Sequence, residues 1–204
     1  MLKFHIGLLD DVEDREFYKA GGFHPTKIGD IFHGGRYRVI HKLGYGGFAT
    51  VWLAQDQQTK SNVALKIIAA VASGDGNELE FFKFASTQHW PSSDAPDRTH
   101  IPDLLDNFWF DGPNGRHLCL VLPAFGPSIQ QVMKTSETRR LSGKTARSVA
   151  LQATQALAFL HSIGLGHGGE NVPQKYRVPW PLTFRCRFSA LEHSFRSEWH
   201  LTVV

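Results

Sequence analysis

Leu43-Gly44-Tyr45-Gly46-Gly47-Phe48-Ala49-Thr50-Val51-Trp52-Leu53-Ala54 opens a passage that Val63-Ala64-Leu65-Lys66 closes. Three glycines within four residues predict a tight turn, and the apolar alternation after them predicts a strand. The second short apolar run predicts another strand, delivering one lysine. Two antiparallel strands that fold a glycine lid, with a lysine on the next strand, form a layout suited to gripping phosphates. A Gly-x-Gly turn alone is weak evidence, because a dinucleotide fingerprint begins the same way. That fingerprint opens a helix, whereas here the turn runs into β-prone Thr50-Val51-Trp52-Leu53. The plainer alternative is a hairpin whose glycines serve only the turn. A lysine at strand distance argues against it.

Outward from this passage, Tyr37, Val39, His41 and Leu43 alternate as a first strand. Val51–Ala54 completes the hairpin, and 62–68 gives a third strand. Ser73-Gly74-Asp75-Gly76-Asn77 is turn chemistry, with Asn77 placed to cap a helix from Glu78 to about Thr87. After a polar Pro/Asp stretch, 104–110 and 117–121 read as two strands joined by Asp111-Gly112-Pro113-Asn114-Gly115, a hairpin signal. Ser142 or Gly143 then opens a long helix, with Ala146, Val149, Ala150, Ala153, Leu157 and Leu160 at helical spacing and Gly164 placed to end it. The stripe Val149, Ala153, Leu157, Leu160 is expected to stand exposed unless further structure covers it.

The expected fold class is α+β, a sheet-rich lobe followed by the beginning of a helical one. Boundaries fall at 1–30 (an acidic lead), 31–123, 124–168 and 169–204. The last segment sets Pro173, Pro179 and Pro181 among aromatics and arginines and is expected to be irregular, with a fragment of alternation at 184–188.

The chain has 204 residues, enough for one domain or two small ones, and a formal net charge of +3. That charge is too small to argue for a nucleic-acid or membrane partner. Cys119 and Cys186 form no disulfide framework and no zinc spacing, so a reducing compartment is the simpler reading. The N-terminus lacks a signal-peptide pattern, and no apolar run reaches the roughly 18 residues a membrane span needs.

A lysine aimed at phosphates needs an anion to hold it. On a helix Glu78 shares a face with Phe81, Phe82 and Ala85, whereas Glu80 faces Lys83 as a surface pair. Glu78 is therefore the expected partner of Lys66. The alternative is that both acids merely decorate an amphipathic helix.

From about residue 21 to 168 the chain resembles the eukaryotic protein kinases, most closely the SR-protein-specific kinase family in its fungal form. The resemblance rests on the lead Gly21-Gly22-Phe23-His24-Pro25-Thr26-Lys27-Ile28-Gly29-Asp30, on Gly35-Arg36-Tyr37 and on the glycine loop. Leu104-Leu105-Asp106, Gly112-Pro113-Asn114-Gly115, His117-Leu118-Cys119-Leu120-Val121 and Gly126-Pro127-Ser128 continue it in order. It implies a kinase-like N-terminal lobe (a five-stranded antiparallel sheet with one helix) and the first helices of a helical C-terminal lobe. It also implies ATP with magnesium, Arg/Ser-rich splicing proteins as substrates, and a cytoplasmic or nuclear location without direct nucleic-acid or membrane partners.

Carried over by position, the resemblance lays Leu43, Gly44, Tyr45, Gly46, Gly47, Phe48, Ala49 and Val51 around the nucleotide. Ala49 replaces a third glycine that many kinases have. Ala64 would line the adenine, Lys66 would meet the α/β-phosphates, and Glu78 would anchor Lys66. At the hinge the Pro123 carbonyl and the Phe125 N–H would read the adenine edge. Pro123 replaces an acid usual in the family, and proline lacks only the N–H.

The resemblance stops at Gly169, which stands where the family has its catalytic-loop aspartate. No Asp-Phe-Gly metal ligand follows, so phosphotransfer is expected to be absent from these residues. Gly169-Glu170 can be encoded as G|GT-GAG, a splice-donor sequence, so the tail is expected to translate a retained intron or a misread gene. The second expectation, from another class, is a non-catalytic nucleotide-binding or interaction fragment.

Overall fold

The structure is a computed structural model that describes residues 13–74, 77–87, 100–126, 128–167, 177–178, 184–188 and 199–203. The chain divides into two compact units, Met1–Gly76 with Leu104–Ala124, and Asn77–Asp103 with Phe125–Val204.

The first unit is built on β1 (Ile31–Phe32), β2 (Tyr37–Gly46), β3 (Ala49–Asp56), β4 (Asn62–Ile68), β5 (Asp106–Gly112) and β6 (Gly115–Pro123). They form one antiparallel sheet in the order β1-β2-β3-β4-β6-β5. The five expected strands are present, β4 with the expected limits. The sixth is β1, too short to carry any periodicity. It exists because His33, Gly34 and Gly35 take left-handed φ values of 52°, 63° and 96° and fold the chain back onto β2. One sheet face carries the core: Val39, Trp52, Ala54, Val63, Leu65, Ile67, Cys119 and Val121, packed with Tyr37, Phe32 and Phe108. Alternation fades in β6, where His117 to Leu122 are all buried, because both of its faces are covered.

The sheet is curled, and one carboxylate closes the curl. Asp106, at the start of the last strand in the order, accepts from Arg36 Nη1 at 2.9 Å and from the Tyr37 hydroxyl at 2.8 Å. Arg36 also holds Asp56 at 2.9 Å. His33 stacks on Phe108 with centroids 4.6 Å apart.

The described part of the lead, from Glu13, is tied to this sheet. Phe23 is buried, and Asn114 donates from Nδ2 to its carbonyl at 2.6 Å. The N–H groups of Ala70 and Val71 donate to the carbonyls of Gly22 and Gly21. Those two residues belong to α1 (Ala70–Ser73), a short helix absent from the sequence reading. A side chain at Gly22 has no room, since its Cβ would fall 1.9 Å from the Phe17 carbonyl oxygen.

The second unit holds α2 (Asn77–Thr87), α3 (Ile129–Thr135), α4 (Gly143–Ser162), β7 (Gly166–His167), β8 (Arg177–Val178), β9 (Phe184–Phe188) and β10 (Trp199–Val203). The α4 ends are those expected: the Ser142 Oγ accepts from the Thr145 N–H at 3.1 Å, and Gly164 follows the helix at φ 77°. Its buried face differs from the expected stripe. Gln152, Ala156, Phe159 and Leu160 are buried, Val149, Ala153 and Leu157 are half-buried, and Leu151 is exposed. The expectation of a wholly bare stripe is therefore corrected at Leu160. Gln152 is admitted to the buried face because its Nε2 donates to Ser148 Oγ at 2.9 Å. Within the tail expected to be irregular, Phe184–Phe188 pairs antiparallel with Trp199–Val203, so the alternation noted there belongs to a strand.

Candidate functional site

The β2–β3 hairpin sets the glycine lid. Gly44 stands opposite Val51, Tyr45 opposite Thr50 and Gly46 opposite Ala49, leaving Gly47-Phe48 as the turn. Register shifts between Val39 and His41 and between Lys42 and Gly44 bend β2 just before the lid. The Phe48 carbonyl accepts from the Ala69 N–H at 2.8 Å, anchoring the tip to the end of β4.

The lid glycines test the two readings of the turn. Gly44, Gly46 and Gly47 are not among the described residues with positive φ. A Cβ on Gly44 or Gly47 would meet no atom within 4 Å. Backbone conformation therefore does not require glycine at these positions, and packing does not require it at Gly44 or Gly47. What remains is the open space itself, a bare backbone surface that a side chain would occupy. Such a surface fits phosphates approached by main-chain N–H groups.

Cross-strand register shows which residues share a face. Gly44, Val51, Lys66 and Leu120 lie in one row across β2, β3, β4 and β6, while Leu53, Ala64 and Leu122 lie in the next. Both rows are on the face opposite Trp52, Leu65 and Val121, because successive residues of a strand point to opposite sides. Ala64, Leu120 and Leu122 are buried, while Val51, Leu53 and Lys66 are partly exposed. The arrangement is an apolar floor beside one ammonium and a glycine edge. Leu53 and Leu120 were not singled out from the sequence, although counting by twos from Val51 would have found Leu53. Leu43, Tyr45 and Phe48 are exposed around the lid, and Ala49 is buried opposite Ile68. Pro123 ends β6 opposite Val63, where a missing N–H interrupts no further pairing.

Glu78 and Phe125 belong to the second unit and Lys66 to the first. Within α2, Phe81, Phe82 and Ala85 are buried and Glu78 is partly so, whereas exposed Glu80 pairs with Lys83 at 3.1 Å. Gly169, where the resemblance breaks, lies outside the described residues. Among the described residues no cluster of three or more His, Cys, Asp or Glu could hold a metal ion, and no helix is long and apolar enough to cross a membrane.

No protein-family model matches the chain. Curated proteins do match it. It is 35% identical over 153 residues to SRSF protein kinase 3 of Homo sapiens, covering 75% of this chain and 27% of that protein. It is 34% identical over 149 residues to protein kinase dsk1 of Schizosaccharomyces pombe, covering 73% of this chain and 27% of that protein. The serine/threonine-protein kinase SRPK of Physarum polycephalum is 32% identical over 162 residues, covering 76% of this chain and 37% of its own length. The chain thus spans between a quarter and two fifths of these three relatives. Together with the curled antiparallel sheet and the helices that follow it, these likenesses show that the chain belongs to the SR-protein-kinase family of serine/threonine kinases.

Proposed function

We propose that this chain binds ATP on the glycine-edged face of its sheet, as the nucleotide-gripping part of an SR-protein kinase. The observation that carries the reading is the bare pair Gly44 and Gly47, glycines that neither backbone conformation nor packing asks for. The lid's N–H groups would cradle the phosphates, and Lys66, in the same row as Gly44, would neutralise the α/β-phosphates. Glu78 would pair with Lys66 and hold its ammonium in place. Val51, Ala64 and Leu122 would pack on the adenine, whose edge the Pro123 carbonyl and the Phe125 N–H would read. ATP would supply the transferable γ-phosphoryl group, Arg/Ser-rich splicing proteins are the substrate class that relatives such as SRSF protein kinase 3 suggest, and cytoplasm or nucleus is the location the family resemblance implies.

These 204 residues hold the grip without the means of transfer. Gly169 stands where the resemblance places the residue that receives the substrate's proton, and no aspartate follows Asp111. The donors expected to hold magnesium are therefore not supplied from that part of the chain, and no catalytic step is assigned to it. The test is a thermal melt with ATP, with and without magnesium, beside phosphotransfer to an Arg/Ser peptide. Stabilisation by ATP in the wild type, lost in Lys66→Met, without turnover, is the expected result. No stabilisation at millimolar ATP would refute the binding reading, and turnover by this polypeptide would refute the incompleteness.

A further inference from the structure

Lys42 is the last residue of β2 before the shift in register that leads into the lid, and it stands opposite Trp52. It therefore lies on the core side of the hairpin, across the sheet from Gly44, Val51 and Lys66. Its ammonium lies 5.4 Å from the Trp52 ring and 5.8 Å from the ring of Tyr45, a lid residue. The same ammonium donates to the carboxylate of Glu13 in the lead. That carboxylate also accepts from the Tyr18 hydroxyl, and its side chain is only 3% exposed. Burial raises the Glu13 pKa, but the bonds from Lys42 and Tyr18 outweigh it, leaving the carboxyl below its ordinary value and charged at neutral pH.

The lead is not a loose arm at this point. Tyr18 packs edge-on against Phe23, and Phe17 packs on Phe23 as well. Gly21 and Gly22 are bonded to α1 and to Asn114 of the β5–β6 turn. A continuous set of contacts thus runs from α1 through Phe23, Tyr18 and Glu13 to Lys42, and ends on the lid at Tyr45. An exposed ion pair holds little. A pair whose carboxylate is buried holds more, because removing one partner strands the other out of water.

We propose that the N-terminal lead is an intramolecular brace, in which Glu13 and Tyr18 grip Lys42 from behind the sheet and set the resting position of the glycine lid. Glu13, Tyr18 and Lys42 are positioning residues, since the opposite face is the one assigned to nucleotide. Only the effect on ATP rests on the function proposed above; the effect on the lid does not. Hydrogen exchange of the backbone amides at 43–48 reads the brace without any ligand. Glu13→Gln keeps the shape and removes the charge, and the lid amides are expected to exchange about tenfold faster, the factor one charge-assisted bond commands. The amides of β4 and β6 should keep their protection, which a general loss of stability would not allow. ATP affinity should fall by a similar factor. Tyr18→Phe should give a smaller change in the same direction, and the swapped pair Glu13→Lys with Lys42→Glu should restore protection even if Glu13→Gln folds poorly. Wild-type exchange at 43–48 in both Glu13→Gln and Tyr18→Phe would overturn the brace. A loosened lid on a protein that never binds ATP would leave the brace standing and sink only the nucleotide reading.

Discussion

Substituting two glycines of this chain separates ligand binding from folding. Gly44 lies in β2 without a positive φ, and a Cβ there would meet nothing within 4 Å. An alanine there meets no atom and narrows the unfolded ensemble, so Gly44→Ala should leave stability unchanged or raise it by about 0.5 kcal/mol. Gly22 also lacks a positive φ, yet its Cβ would lie 1.9 Å from the Phe17 carbonyl oxygen and 3.0 Å from that of Lys19. Both obstacles are backbone, which cannot swing aside as a side chain end can. Gly22→Ala should therefore cost about 2 kcal/mol or more, in the range of overpacking. Urea denaturation followed by tryptophan fluorescence gives the stability of each variant, and titration with ATP gives its affinity. The double variant Gly44→Val/Gly47→Val should fold like the wild type and bind ATP at least about tenfold more weakly, a loss of about 1.4 kcal/mol. If it binds as tightly as the wild type, the open space beside the lid is not where phosphates sit. If it unfolds instead, these glycines serve the fold and the argument from bare backbone fails.

Acid should weaken the first unit in two stages. Burial, with His117 nearby, pushes the His24 pKa down to about 4 from 6.5, so its neutral form is the one that folds. That contribution is present above pH 6.5 and is lost as pH falls from there through 4; His24→Asn should flatten this limb of a midpoint-versus-pH curve. The Arg36 hydrogen bond holds Asp56 near 2, below its ordinary 3.8, so its contribution persists above pH 3.8 and is lost as pH falls through 2. Asp56→Asn should remove that second limb. Asp106→Ala takes an acceptor from both Arg36 and Tyr37 and should cost about 2–3 kcal/mol in urea, with Asp106→Asn costing about half as much because it keeps a carbonyl oxygen. In the second unit, Leu160→Ala should cost about 2–5 kcal/mol, whereas exposed Leu151→Ala should stay within about 0.5 kcal/mol; the same denaturation curves check both.

The elements legible from sequence are those whose signals are local. β4 is a short apolar run entered from the polar turn at 57–60, and α4 carries its own cap at Ser142 and its own stop at Gly164. The hairpin around Gly46 and Gly47 and the strand that bears Lys66 were legible because a glycine turn and short apolar runs mark them locally. What was missed depends on contacts distant in sequence. β1 exists only because a turn of left-handed residues lays it on β2. The acidic lead carries no periodicity that would place Phe23 in the core or bond Glu13 to Lys42. Nothing in the sequence marks Gln152 as buried, since it is the bond to Ser148 that satisfies its amide there. At the site, Leu120 was hidden because an uninterrupted apolar run does not say which residues face which way.

Arg36 and Asp106 are separated by 70 positions, and the unit they close is interrupted by Asn77–Asp103. During synthesis, Tyr37–Gly46, Ala49–Asp56 and Asn62–Ile68 leave the ribosome well before their last neighbours exist. At about 5–20 residues per second, the stretch from Ile68 to Ala124 takes roughly 3 to 11 seconds. For that interval the hydrogen-bonding edge of Val63-Ala64-Leu65-Lys66-Ile67 has no partner strand, though it becomes an interior strand of the finished sheet. The nascent chain therefore passes through a window in which a chaperone, or another copy of the same segment, competes for an edge that Gly115–Pro123 alone is shaped to cover.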